Sequence, residues 1–334
     1  MALKRRQFVK ALGVAAGLVA GAGTASAADV TVNLGYAGAE DSTYGVLAGK
    51  FEELAEKYTD GSVDIKIRCC TQLATEDEAY KAMQLGTIDM YIITHNNVAP
   101  HFPLMNAFVL PYIFHSREHA YEVLDGPVGD DIKRQIREDT KVHLLTYGFV
   151  GQRDFYNSVR PIDEMSDVEG IKIRVPKNQV MVDTWGAFGA APIPLPWSET
   201  AAALQTGTVQ GGDNGTSFIK SQKFYELMDH LAIMEHFSYF SPLFASPRVM
   251  NKFSDSQREA ILRAADEAGE HHRKEMGARI ADIRDWLGDE GGMKVTYPDK
   301  EDFIAAATKL QNDWLADKPQ KFEDLVEKIR AAAE

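Results

Sequence analysis

The stretch from Val30 to Arg68, VTVNLGYAGAEDSTYGVLAGKFEELAEKYTDGSVDIKIR, reads as strand, helix and strand in succession. Val30 to Leu34 alternates apolar and polar residues and is rich in β-branched side chains, the signature of a strand. Asp41, Ser42 and Thr43 supply N-cap chemistry for a helix carrying Val46, Phe51, Leu54 and Ala55, and Asp60-Gly61 ends it. Val63, Ile65 and Ile67 then alternate again. Two such strands joined through a helix pair in parallel with a right-handed crossover, which predicts an α/β fold.

The same pattern continues downstream, with a helix near Glu76 to Leu85, a turn at Gly86-Thr87 and a strand from Ile88 to Thr94 that runs into His95-Asn96-Asn97. Ligands in open α/β sheets sit beyond the carboxyl ends of strands, so polar residues there are site candidates by position; a role as loop caps fits them equally. A strand is predicted over Val142 to Val150, leading into Gly151 to Ser158, and another within Gly170 to Pro176. The 334 residues are enough for two lobes with separate cores, and with no low-complexity linker the lobes must be joined by strands that cross between them. Ser254 and Gln257 form a capping box for a helix running proline-free to about Leu287, with Met276, Ile280, Ile283 and Leu287 spaced as one buried stripe. At 1.5 Å per residue such a helix is about 50 Å long, more than one lobe of this size, and should bridge both.

Ahead of all this stand a basic segment (Lys4, Arg5, Arg6, Lys10), a small apolar run from Ala11 to Gly23, and Ala25-Ser26-Ala27, the pattern of an export signal cleaved near Ala27. The apolar run is too short to span a bilayer. Arg5-Arg6-Gln7-Phe8-Val9-Lys10 resembles a twin-arginine signal. Removing the segment takes the formal charge from −13 to about −17, which disfavours nucleic acid and anionic lipid as partners. The expected product is a free, monomeric periplasmic protein. Cys69 and Cys70, side by side, are read as idle thiols, since adjacent cysteines pair only through a strained ring.

Catalytic machinery is sparse. The chain has no G-x-S-x-G elbow, P-loop, G-x-G-x-x-G after a strand or H-E-x-x-H, so no catalytic residue, metal or cofactor is assigned. His271 and His272, adjacent on the long helix, are read as part of a solvated face. Arg174 is more informative, because alternation in Ile171-Lys172-Ile173-Arg174-Val175-Pro176 sets it opposite the apolar face. A guanidinium on a strand facing a cleft clamps a carboxylate through two parallel bonds, although the same pattern fits an exposed edge arginine.

Four motifs in order carry a resemblance: Gly151-Gln152-Arg153-x-Phe155-x-Asn157-Ser158-x-Arg160-Pro161-Ile162, Gly170-x-Lys172-Ile173-Arg174-Val175-Pro176, Phe188-Gly189-Ala190-x-Pro192-x-Pro194-x-Pro196-x-Ser198-Glu199, and Ala203-Leu204-Gln205-Thr206-Gly207-Thr208-Val209-x-Gly211-x-Asp213-Asn214. Together with Leu73, Glu76, Glu78 and Leu85 to Met90, they resemble the DctP-type substrate-binding proteins of tripartite ATP-independent periplasmic (TRAP) transporters over nearly the whole mature chain. Ala74 and Gln210 stand where the family usually has glycine and aspartate.

The resemblance implies a two-lobe Venus-flytrap fold: residues 28–152 plus about 240–275 in one lobe, residues 153–239 plus about 276–334 in the other. It implies that Arg174 binds a small organic anion by its carboxylate, with Arg153 a second cationic partner, Asn214 a donor to the same end, Trp197 an aromatic face and Glu76 a polar contact from the first lobe. Trp197 fits a core aromatic as well. Tyr36, His95, Asn96 and Phe218 join the candidates by position. The implied partners are the small and large membrane subunits of the transporter. A binding protein of an ABC importer or sensor, or a periplasmic enzyme on the same scaffold, are the alternatives.

Overall fold

A computed structural model describes residues 28–332, so the export-signal reading of residues 1–27 lies outside the described residues. Strand β1 (Val30–Tyr36), helix α1 (Thr43–Tyr58) and β2 (Val63–Arg68) form the expected parallel unit, with Val30 beside Val63 and Leu34 beside Ile67. Next come α2 (Glu76–Gln84), β3 (Met90–Ile92), α3 (His95–Val98), a 3-10 segment (Pro103–Val109), α4 (Arg117–Asp125) and α5 (Pro127–Thr140). Strand β4 (His143–Asn157) then leads to β5 (Lys172–Val175), α6 (Gln179–Ala187), β6 (Ala191–Pro194), α7 (Thr200–Gln205), β7 (Gly211–Gly215) and α8 (Thr216–Ser221). The chain returns through β8 (His230–Ala245) and closes with α9 (Pro247–Met250), α10 (Asp255–Asp289), β9 (Lys294–Thr296), α11 (Glu301–Ala316) and α12 (Gln320–Ala331).

All the strands share one twisted sheet in the order β2-β1-β3-β8-β4-β7-β5-β6, with β9 on β8. β1 to β3 form one end and β5 to β7 the other, each parallel within itself; β4 and β8 are antiparallel to each other and to their outer neighbours. These two strands traverse both lobes. The sequence reading ended the first of them at Val150, whereas it continues seven residues further. Gly151 permits this: its φ of +122°, at a register shift between Phe149 and Gly151, is a conformation that side chains other than hydrogen rarely adopt. The strand bends there without breaking.

Helix α10 is capped by Ser254 and Gln257 as predicted, and its 35 residues cross both lobes. Near its start Ile261, Ala264, Ala265 and Ala268 bury against α1 and β4, and a Cβ at Gly269 would stand 2.1 Å from Thr146 Oγ1. Small residues let the helix lie this close. Near its end Leu287 joins a second core with Tyr156, Leu204, Val209 and Leu231. The predicted stripe is buried at Met276 and Leu287 but only partly at Ile280 and Ile283.

Two local readings are corrected. His272 is fully buried rather than solvated, accepting from Phe149 N at Nδ1 (3.3 Å) and donating from Nε2 to Thr43 O (2.9 Å). Burial pushes its pKa down to about 3, so the ring is neutral. Cys69 and Cys70 are joined in a vicinal disulfide rather than left as thiols. The turn it occupies is held by Cys70 N on Gly38 O and Thr71 N on Tyr36 O.

His272 thus ties α10 to both α1 and β4, and His272→Leu should strand two buried backbone groups at a cost of about 2–4 kcal/mol. His271→Leu, on the exposed side of the same helix, should change stability by less than about 0.5 kcal/mol. Urea denaturation of the two variants measures the contrast.

Candidate functional site

Where the two ends of the sheet face one another, the strand ends line a narrow, mostly polar cavity of about 20 Å³. One end of this cavity is built on β strands. Arg174, in register with Ile193 on β6 and Gly212 on β7, is 4% exposed and therefore no edge arginine. Its Nε and Nη2 donate to Leu195 O at 3.0 and 2.6 Å, and its guanidinium lies 5.6 Å over the Trp197 ring. No bond from Nη1 is found among the described residues, and no carboxylate pairs with this cation. Burial pushes its pKa below the ordinary guanidinium value, yet an arginine stays charged at neutral pH.

Arg153 is equally buried but already neutralised. Its Nε donates to Asp213 Oδ2 at 2.9 Å, its Nη2 to Asp213 Oδ1 at 3.2 Å and also to the Asp213 carbonyl, while Tyr239 lies under it at 4.7 Å. His236 Nε2 donates to the same Oδ2 at 3.1 Å. Burial alone would raise the Asp213 carboxyl, but Arg153 and His236 outweigh it and hold the group well below the usual range. Asn214 stands next to it on β7, its Oδ1 taken by Gly215 N and its Nδ2 left as a donor.

The other end is acidic. Glu76 is the first residue of α2, after the Thr75–Glu78 capping box, so its carboxylate sits at a helix N-terminus where negative charge is favoured. It is buried, and its Oε2 accepts from Thr94 Oγ1 (2.6 Å) and Asn97 Nδ2 (2.5 Å). Burial raises its pKa despite these bonds. Between the ends runs an aromatic wall: Phe218 meets Tyr44 edge-on at 4.9 Å and Trp197 at 5.6 Å, and the hydroxyls of Tyr44 and Tyr239 are bonded at 3.0 Å.

A family model for the bacterial extracellular solute-binding proteins, family 7 (DctP), matches residues 34–317. The chain belongs to this family. As a DctP protein it is 30% identical to the 2,3-diketo-L-gulonate-binding periplasmic protein YiaO of Escherichia coli, over 95% of this chain and 96% of that one. The crystal structure of a TRAP periplasmic solute-binding protein from Polaromonas sp. JS666, bound to D-erythronate, superposes with a TM-score of 0.86 at 29% identity, covering 90% of this chain and 98% of that one. Another, from Roseobacter denitrificans with bound L-galactonate, gives 0.84 at 30% identity over 91% and 99%. The two-lobe α/β architecture and the transport role implied by the sequence are those of the family.

Seven of the nine candidates line the cavity: Arg174, Arg153, Asn214, Trp197, Glu76, Asn96 and Phe218. Tyr36 and His95 do not. Tyr36, the last residue of β1, is buried in the core, edge-on to Tyr44. His95 turns its ring onto β8, its Nδ1 at the backbone of Phe240, and burial lowers its pKa to about 4. The position beyond a strand was right and the direction of the side chain was not. Tyr44, Thr94, Pro176 and Tyr239 also line the cavity and were not singled out, and so does Asn97, which stood among the polar residues beyond the strand end. Thr94 flanks a candidate that was singled out; Tyr44 and Tyr239 meet only through the fold.

Replacing Asp213 by Asn leaves Arg153 buried without its counter-charge, and should cost about 3–5 kcal/mol. Because the folded pKa of Asp213 is depressed, the contribution is complete above its unfolded value of ~4 and is lost as pH falls toward the folded one. Urea denaturation of wild type and D213N should therefore differ fully at pH 7 and converge below pH ~4.

Proposed function

We propose that this DctP protein captures a small polyhydroxylated monocarboxylate, of the sugar-acid class, and delivers it to the small and large membrane subunits of a TRAP transporter. The observation that carries the reading is a charge inventory. Of the two guanidinium groups in the cavity, Arg153 is matched by Asp213, whereas Arg174 has no carboxylate partner among the described residues. One acid group on the ligand completes it, through Nη1 of Arg174 with Nδ2 of Asn214 as a further donor. A second carboxylate would meet Glu76, an acceptor suited instead to ligand hydroxyls, and the aromatic wall suits the C–H face of a carbon chain. The erythronate and galactonate held by the two solved relatives are acids of this kind.

Ligand exchange needs an opening. The proposed lobes are residues 28–152 with about 240–275, and 153–239 with about 276–334; α12 is better counted with the first, since it packs on α5 and Ile329 O meets His119 Nε2 at 2.7 Å. In the described form the lobes are drawn together by Asn178 Nδ2, which donates to Asn96 O (3.1 Å) and Asn106 Oδ1 (3.0 Å), and by Lys177 with Asp77. Closure around a ligand that touches both sides would select this form. The protein is proposed to work as an exported periplasmic monomer and to catalyse no reaction; among the described residues no helix is long and apolar enough to cross a membrane.

A thermal-shift panel tests the ligand class: L-galactonate, D-erythronate and D-glucuronate should raise the melting temperature, and succinate should not. Stabilisation by succinate alone would refute the monocarboxylate reading. Arg174→Ala should abolish the shift with the fold retained, and Glu76→Gln should weaken binding by roughly 10-fold, the worth of one hydrogen bond to a charged group. Unchanged affinity in R174A removes the clamp.

A further inference from the structure

Asp154, the residue after Arg153 on β4, points to the opposite side of the sheet and is fully buried there. Across from it β8 is irregular: Arg153 pairs with Phe237 and Phe155 with Ala232, so residues 233–236 stand opposite Asp154 alone. Glu235 within this bulge has φ +54°. A left-handed glutamate is strained and persists only where its surroundings over-determine it. Here they do. Asp154 Oδ1 accepts from Glu235 N at 3.1 Å, Asp154 Oδ2 accepts from Arg284 Nη2 at 3.1 Å, and Glu235 is paired to Arg284 (2.8 Å) and Lys300 (3.1 Å).

The next residue in the bulge is His236, which bonds Asp213, which in turn holds Arg153. An unbroken chain of contacts therefore leads from the long helix α10, through Asp154 and the bulge, to a guanidinium in the cavity. We propose that Asp154 and Arg284 are positioning residues: by pinning the β8 bulge to α10 they set His236 against Asp213 and so fix the orientation of Arg153. The inference rests on the reading of Arg153 as part of the binding site. It makes α10 more than a brace, because a shift of the helix at Arg284 is passed to the site.

The test compares Arg284→Met with Arg273→Met, which removes another α10 arginine, one that bonds Tyr147 O and Asp125 rather than the bulge. Nuclear magnetic resonance of the Arg153 Nε–H, a buried bonded proton, reads the geometry without any ligand. In R284M its exchange with solvent should quicken about 10-fold, and calorimetric affinity for L-galactonate should fall about 5-fold or more, within the range of such couplings; R273M should change neither beyond about 2-fold. Arg284→Lys should recover part of both. Asp154→Asn, nearly isosteric, should reproduce R284M and serves if R284M does not fold. Unaltered Arg153 exchange in folded D154N, or an equal change in R273M, overturns the proposal. Failure of the unsubstituted protein to bind L-galactonate counts against the ligand reading, while the exchange comparison still decides this one.

Discussion

A buried guanidinium with no counter-ion among the described residues is the constraint around which this molecule is arranged. Taking a charge out of water costs several kcal/mol even after relaxation, and Arg174 recovers part of that from one backbone oxygen, Leu195 O, and from the face of Trp197. The remainder is not met by any carboxylate among the described residues. In the proposed role an acid group supplied from solution meets it, and occupancy and closure then favour each other with no separate trigger. Had Arg174 its own aspartate, as Arg153 has, closing would lose most of its dependence on the ligand.

The sheet explains how two arginines can be held so near without mutual damage. Arg153 and Arg174 lie on strands separated by β7, and β7 itself carries Asp213 toward the first and Asn214 toward the cavity. Close approach depends on its glycines: a Cβ at Gly212 would stand 2.3 Å from Tyr156 Oη. Gln210, just before the strand, holds the start of β5 through its side chain on Lys172 N (3.1 Å) and accepts Ser158 N on its carbonyl. The departure from the usual aspartate there leaves the loop supported.

How much of this was legible in the sequence varies with the range of the interaction. The β-α-β start and the capped long helix follow from periodicity and cap chemistry, which act within a few residues; periodicity set Arg174 opposite the apolar face of its strand without telling a cleft from an exposed edge. The order of motifs along the chain carried the pairing of Arg153, Arg174, Trp197 and Asn214. What escaped depends on neighbours far along the chain: His272 is buried because Thr43 and Phe149 meet it, and Tyr44 lines the cavity because Tyr239 is across from it. His95 and Tyr36 show the reverse error, since correct strand ends do not determine which way a side chain turns. The continuation of β4 past Val150 was hidden by Gly151, which reads as a stop and acts as a bend.

The protein as a whole is acidic, with a formal charge of −13 over the full chain, and an anion approaching it gains nothing from the overall field. At physiological salt such fields fade over ~8 Å, so the approach is at best unsteered. Tight capture of an acid must then come from slow release, and slow release from contacts made only after water has left. That places the burden on preorganisation: a cation already fixed by a carbonyl, an amide with one end tethered, a rigid aromatic wall and a carboxylate held by Thr94 and Asn97. In the proposed role each of these groups meets the ligand without first being ordered, and so the entropy that binding would otherwise lose was already spent in folding.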